Sequence, residues 1–62
     1  MNLLRRVERH LRRHGLAPTR FGREAANDPR LVEDLRNGRQ AGTRMAARVT
    51  AYMDRGDAEL VP

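Results

Sequence analysis

Two histidines, His10 and His14, lie four residues apart in the segment VERHLRRHG. On a helix this spacing places both imidazoles on one face, where they can bind zinc if a third and a fourth ligand converge on them. The chain has no cysteine and no other histidine to complete such a set. The sequence therefore predicts no metal site, and it predicts that both histidines pack at the boundary of the core.

Other chemistry has little support in the sequence. The chain contains no Ser-His-Asp set and no nucleotide-binding loop, and a chain of 62 residues rarely forms a ligand pocket. We therefore expect a single domain that is not an enzyme and needs no cofactor.

Charge is the strongest compositional signal. The formal net charge is +5, and all 13 basic residues are arginine, which favours a polyanion as partner, either nucleic acid or an anionic membrane. No apolar run approaches the roughly 20 residues of a membrane-spanning helix. The N-terminal MNLLRRVERH lacks the apolar core of a signal peptide. We expect a cytoplasmic protein with no membrane partner.

The first element is an amphipathic helix over about residues 2–14. Its apolar residues fall within an arc of roughly 80°, and they are Leu3, Leu4, Val7 and Leu11. Arginines occupy the opposite side, namely Arg5, Arg6, Arg9, Arg12 and Arg13. Asn2 is the predicted N-cap and Gly15 the predicted stop. Because the stripe is narrow and has no Trp or Phe, it favours packing in a small bundle over binding to a membrane surface.

Two short helices follow, over about residues 19–26 and 29–37. Thr19 is the predicted N-cap of the first, unless Pro18 opens it, and Asn27-Asp28-Pro29 separates the two. Asp28 is the predicted N-cap of the second, and Asn37-Gly38 its end. Buried positions are predicted at Phe21, Gly22, Ala25, Leu31, Val32 and Leu35. Since a glycine within a helix costs about 1 kcal/mol, Gly22 indicates close approach of the second helix's backbone.

This pair of helices resembles the helix-turn-helix of the lambda-repressor-like family, which includes phage repressor and Cro proteins. The resemblance extends from Leu3 to about Met53 and includes the amphipathic first helix, the Thr-x-Phe-Gly string from Thr19, and the Asn-Gly-Arg from Asn37. It implies an all-α, four-helix domain that binds duplex DNA as a transcription regulator of a bacterium or phage. The chain departs from the family in its turn, Ala26-Asn27-Asp28, which has no glycine and carries Asn27 near the place of an apolar residue, and in the acidic second helix.

In this family the second helix of the motif lies in the major groove. With its apolar residues turned inward, the outward side carries the predicted base-contacting residues Pro29, Arg30, Glu33, Asp34 and Asn37. Arg30 can donate two hydrogen bonds to guanine, and Glu33 can accept one from cytosine. Alternatively, Glu33 or Asp34 only orients Arg30 or Arg36. The resemblance further implies phosphate contacts from Thr19, Arg20, Arg23, Arg39, Gln40, Thr43 and Arg44.

The last helix is predicted over about residues 43–54, with Thr43 as N-cap. Arg55-Gly56-Asp57 is expected to end it and to begin a tail over 55–62. The apolar arc of this last helix is predicted to close the core and to be wide enough for a subunit contact as well. A single helix in the major groove specifies only a few base pairs. We therefore expect a homodimer or a protein partner on DNA. The predicted dimer surface comprises Met45, Val49, Tyr52, Met53, Leu60 and Val61, and Ala46 completes the apolar arc.

Two other functions fit the same composition. One is a helical adaptor that binds another protein, such as a regulator or a polymerase. The other is a nonspecific nucleoid or RNA binder. Absence of binding to random and genomic duplex DNA at low salt would favour the adaptor.

Overall fold

The structure is a computed structural model that describes residues 2–60, with the side chain of residue 60 left undescribed. It consists of four α-helices: α1 (Leu3–His14), α2 (Pro18–Ala26), α3 (Leu31–Arg36) and α4 (Thr43–Leu60). The described part of the chain contains no β-strand. The prediction of an all-α domain with four helices is confirmed.

Both ends of α1 form as the sequence predicts. The Asn2 side chain accepts a hydrogen bond of 2.9 Å from the Leu4 N–H, which satisfies one of the free donors of the first turn. Gly15 adopts the left-handed conformation, with φ of 63°, and its N–H donates to the carbonyl of Leu11. Between these caps, Val7, His10 and Leu11 are buried.

The start of α2 differs from the first prediction. Ala17 is the N-cap and Pro18 the first helical residue, so the alternative start at Pro18 is correct and Thr19 is not the cap. Proline suits this position because its fixed φ is helical and the N–H it lacks would be unpaired there. As predicted, Phe21, Gly22 and Ala25 are buried.

Helix α3 is shorter than predicted, and Asp28 is not its N-cap. The N-cap is Arg30, and the Asp28 carboxylate instead accepts from the Arg30 N–H at 3.1 Å. This contact stabilises a turn over 28–31, which places Pro29 before the helix rather than in it. The predicted burial of Leu31, Val32 and Leu35 is confirmed.

Helix α4 is longer than predicted. It begins after Gly42, whose carbonyl accepts from the Ala46 N–H at 2.8 Å, so Thr43 is the first helical residue rather than the cap. The expectation that Arg55-Gly56-Asp57 ends this helix is wrong, since it continues to Leu60. Its last turns lie against α1, where Asp57 contacts both histidines. These long-range contacts hold the backbone helical through Gly56.

All four helices contribute to one core. Its fully buried side chains are Val7, Phe21, Leu31, Val32, Val49 and Met53. Phe21 stacks on the ring of Tyr52, with ring centroids 5.5 Å apart, which joins α2 to α4. None of the described helices is long and apolar enough to cross a membrane.

Candidate nucleic-acid interface

The connection between α2 and α3 is a tight turn held by backbone hydrogen bonds. Asn27 ends α2 in the left-handed conformation, with φ of 53°, and its N–H donates to the Arg23 carbonyl at 3.0 Å. The Asp28 N–H donates to the Gly22 carbonyl at the same distance. Asn27 thus supplies the left-handed residue of a turn that lacks glycine, because asparagine tolerates this conformation better than most residues do.

Gly22 is required by the packing of this turn on α2. A β-carbon at position 22 would collide with the backbone carbonyl oxygen of Asp28, and it would lie 3.3 Å from the β-carbon of Leu31. A close backbone approach was predicted here, but the backbone that approaches Gly22 is that of the turn at Asp28, and α3 contributes only the Leu31 side chain. The α2–turn–α3 unit is therefore closely packed.

Most of the predicted base-contacting residues are exposed. Pro29 and Arg30 lie in the turn, Glu33 lies on α3, and Asn37 follows α3, all of them exposed. Arg30 forms no ion pair within residues 2–60. Its guanidinium is therefore free of carboxylates in the described part of the chain.

Asp34 has a different environment. It is half-buried, and its carboxylate accepts from the Arg39 guanidinium at 3.0 Å, while Asp28 accepts from the same guanidinium at 3.2 Å. The hydrogen bond to Asp28, followed by the one to Asp34, raises the pKa of Arg39. Asp34 thus orients Arg39 rather than the predicted Arg30 or Arg36. We call this group the Arg39 cluster.

Arg36 is held away from the predicted interface. It donates two hydrogen bonds to Glu8 on α1, at 2.8 and 2.7 Å, and this hydrogen bonding lowers the pKa of Glu8. A bidentate arginine–carboxylate pair has a fixed geometry, although exposed pairs of this kind stabilise a fold only weakly. The pair links α1 to α3.

Arg20, predicted to contact phosphate, is also paired. Its Nε donates to Glu24 at 2.8 Å, and the Tyr52 hydroxyl donates to the other oxygen of that carboxylate at 2.7 Å. The hydrogen bond from Arg20 is the main reason that the pKa of Glu24 is lowered, while burial raises the pKa of Tyr52. This network joins α2 to α4 at the surface.

The remaining predicted phosphate contacts are exposed, and they are Thr19, Arg23, Gln40, Thr43 and Arg44. Arg23 and Arg44 form no ion pair in the described part of the chain. Arg30, Arg23 and Arg44 are therefore the three arginines of the predicted interface that have no carboxylate partner among the described residues.

The predicted dimer surface needs correction. Val49 and Met53 have no exposed surface, because both belong to the core of the single chain. Met45 and Tyr52 are half-buried and remain accessible. Val61 and the side chain of Leu60 lie outside the described residues. The apolar arc of α4 is therefore mainly a core surface.

Sequence reasoning missed the environment of the histidines. His14 is half-buried, as its predicted boundary packing requires, but His10 is buried rather than at the boundary, and Asp57 lies beside both. The missed signal is helical continuity, because Asp57 reaches α1 only if α4 extends through Gly56. The prediction that α4 stops there removed this carboxylate from consideration.

No protein-family model, curated protein or solved structure matches the chain. The assignment to lambda-repressor-like proteins is therefore a proposal based on the residues and geometry of this chain.

The Arg39 cluster leads to a prediction about DNA affinity. Asp34→Asn removes a negative charge beside Arg39 and leaves that guanidinium freer to contact phosphate. At low salt, duplex affinity should rise about threefold to tenfold, the effect of roughly one additional phosphate contact. Fluorescence anisotropy with a labelled duplex measures this change. Asp54→Asn on α4 makes the same change in net charge, and an equal gain there would show that the effect is not local.

Proposed function

We propose that the chain binds duplex DNA through the α2–turn–α3 unit and acts as a sequence-specific transcription regulator. The observation that carries this proposal is the packing of Gly22 against the turn. Such close packing orients α3 rigidly, with Leu31, Val32 and Leu35 in the core and Glu33 on the outward side. A short helix presented in this way suits the major groove.

Charge gives independent support. Arg23, Arg30 and Arg44 are exposed cations without carboxylate partners in the described residues, so they can contact DNA without breaking an ion pair. Within this proposal Arg30 contacts a guanine, and Arg23 and Arg44 contact phosphates on either side. Glu33 accepts from a cytosine, or it penalises sites that present no donor at that place.

A single α3 specifies only a few base pairs, so a second copy of the chain or a protein partner completes the site. Two copies related by a twofold axis would contact half-sites about one helical turn apart. Selection of bound DNA from a random pool, followed by sequencing, tests both points. A palindromic motif supports the dimer, and a single asymmetric half-site supports a heterologous partner.

Substitution of two arginines separates base contact from phosphate contact. Arg30→Ala should relax the sequence preference at one base position and weaken binding to the selected site by roughly 5- to 150-fold. Arg39→Ala should weaken all sequences alike, because it also leaves Asp28 and Asp34 as uncompensated charges near phosphates. The affinity of each variant is measured on the selected site and on sites with single base-pair changes. Arg12→Ala on α1, which lowers the net charge by the same amount, is the control. If Arg30→Ala weakens every site equally, Arg30 does not contact a base.

A further inference from the structure

We propose that His10, His14 and Asp57 form a zinc-binding site that joins α1 to the last turns of α4, with water as the fourth ligand. The two histidines lie one turn apart on α1. The Oδ1 atom of Asp57 lies 3.0 Å from His14 Nε2 and 3.3 Å from His10 Nδ1. The three side chains can each present one ligand atom such that all three lie within 4.8 Å of one another.

These separations suit tetrahedral coordination. Bonds of about 2.0–2.2 Å from zinc to nitrogen and oxygen imply ligand-to-ligand distances of roughly 3.3–3.5 Å. The separation between His10 Nδ1 and Asp57 Oδ1 already lies in this range. His14 Nε2 lies closer to Asp57, at 3.0 Å, and the ligand atoms as a set lie within 4.8 Å of one another, so zinc binding requires side-chain rotations that equalise these separations. Two imidazoles, one carboxylate and one water are a donor set that zinc accepts in proteins.

His10 supplies the second observation. Its side chain is 3% exposed, and its Nδ1 atom is buried without a hydrogen-bond partner in the described residues. The approach of Asp57 at 3.3 Å does not have hydrogen-bond geometry, so that contact leaves the nitrogen unsatisfied. Buried polar atoms are nearly always paired, and zinc bound between His10 and Asp57 would satisfy this one.

Zinc coordinates the neutral imidazole and the ionised carboxylate, so its binding would displace any proton shared between His14 Nε2 and Asp57 Oδ1, which lie 3.0 Å apart.

Gly56 allows α4 to come close enough for this site. A β-carbon at position 56 would lie 3.2 Å from His10 Cε1 and 3.7 Å from His14 Cε1, so a larger residue would crowd both rings. Glycine within a helix weakens that helix, and here it allows Asp57 to reach α1. The same close approach explains why α4 continues past this residue.

Positive charge limits the affinity. Arg6, Arg9 and Arg13 line the hollow beside the cluster, and Arg6 pairs with Asp54 and lies 3.8 Å from Asp57. The positive charges of these arginines repel a zinc ion bound beside them. The site also has only three protein ligands, so we expect weaker binding than in the four-ligand sites of zinc fingers.

Calorimetric titration of zinc chloride into tag-free protein, previously treated with a chelator, tests the site without DNA. We expect one zinc per chain, and a rise in the melting temperature of about 5–10 °C at a zinc concentration roughly tenfold above the dissociation constant. Asp57→Asn and His14→Gln should each weaken binding at least about tenfold. Glu59→Gln is the matched control, because this exposed carboxylate on α4 forms no ion pair among the described residues, and it should bind zinc like the wild type.

Two results would overturn the proposal. One is the absence of both heat and thermal stabilisation for the wild type at submillimolar zinc. The other is equal binding by the wild type and His14→Gln, which would place zinc elsewhere. Circular dichroism checks that each variant is folded, and cobalt substitution of the wild type provides a measurement that needs no variant, since a tetrahedral site gives intense visible absorption. Because no DNA is present, failure here leaves the proposed DNA binding untouched.

Discussion

Replacing Gly22 with alanine should destabilise the domain by about 3 kcal/mol or more, enough to unfold much of it. The added β-carbon would overlap the Asp28 carbonyl oxygen, and this turn cannot move freely, because the Asp28 N–H is bonded to the Gly22 carbonyl at 3.0 Å. A domain of this size rarely has more than about 3–5 kcal/mol of stability from its core. Urea unfolding followed by circular dichroism measures the change.

The sign of this effect is as informative as its size. In an ordinary helix interior, alanine in place of glycine would stabilise by about 1 kcal/mol. Gly42→Ala is the matched control, because a β-carbon at that position meets no atom within 4 Å. Gly42→Ala should change the free energy of unfolding by no more than about 1 kcal/mol, because alanine is a poorer residue than glycine just before the start of α4. A Gly22→Ala variant as stable as the wild type would contradict the close packing of α2 on the turn.

Burial was predictable from the sequence because it follows helical periodicity. Val7, Phe21, Leu31 and Val32 recur at spacings that place them on inward faces, and all four have no exposed surface. The capping residue at Asn2 was equally informative. Its side chain accepts hydrogen bonds from the Leu4 and Arg5 N–H groups, and its backbone is extended, so α1 begins directly after it.

The errors occurred where distant residues decide the local structure. Glycine ends a helix when no tertiary contact opposes that end. At Gly56 the contacts of Asp57 with α1 oppose it, and the helix continues. Asp28 carries a capping side chain as predicted, but it stabilises the turn before α3 instead of the helix start. In both cases the residue type was informative, and its partner was not predictable from neighbouring residues.

Ion pairs in the candidate interface were harder to predict than burial. Arg36 pairs with Glu8, which lies 28 residues away in the chain. Arg39 lies between Asp28, which precedes α3, and Asp34, which lies within it. Arginine side chains have many rotamers, so the choice among nearby carboxylates depends on tertiary geometry. The sequence therefore predicted which residues face outward, but not which cations remain free of partners.

Salt concentration should control DNA binding strongly if the proposed interface is correct. The four arginines assigned to phosphate, Arg20, Arg23, Arg39 and Arg44, would release counterions, so the affinity should fall roughly a hundredfold between about 50 and 200 mM salt. Anisotropy titrations at several salt concentrations give the slope. Failure to bind genomic and random duplexes even at low salt would contradict the proposed DNA binding and favour an adaptor for another protein.

The dependence of log affinity on log salt concentration also tests which arginines contact phosphate. Arg23 and Arg44 are exposed and lack carboxylate partners within residues 2–60, so replacing both with alanine should make the logarithmic slope less steep by about 1.8. Arg5 and Arg12 on α1 are also exposed and without such partners there, and replacing both lowers the net charge equally. The control pair should shift affinity slightly and leave the slope nearly unchanged, since counterions are released mainly where arginines meet phosphates. Equal slopes for the two double variants would mean that the protein binds DNA through its general charge, and the α2–turn–α3 interface would then be wrong.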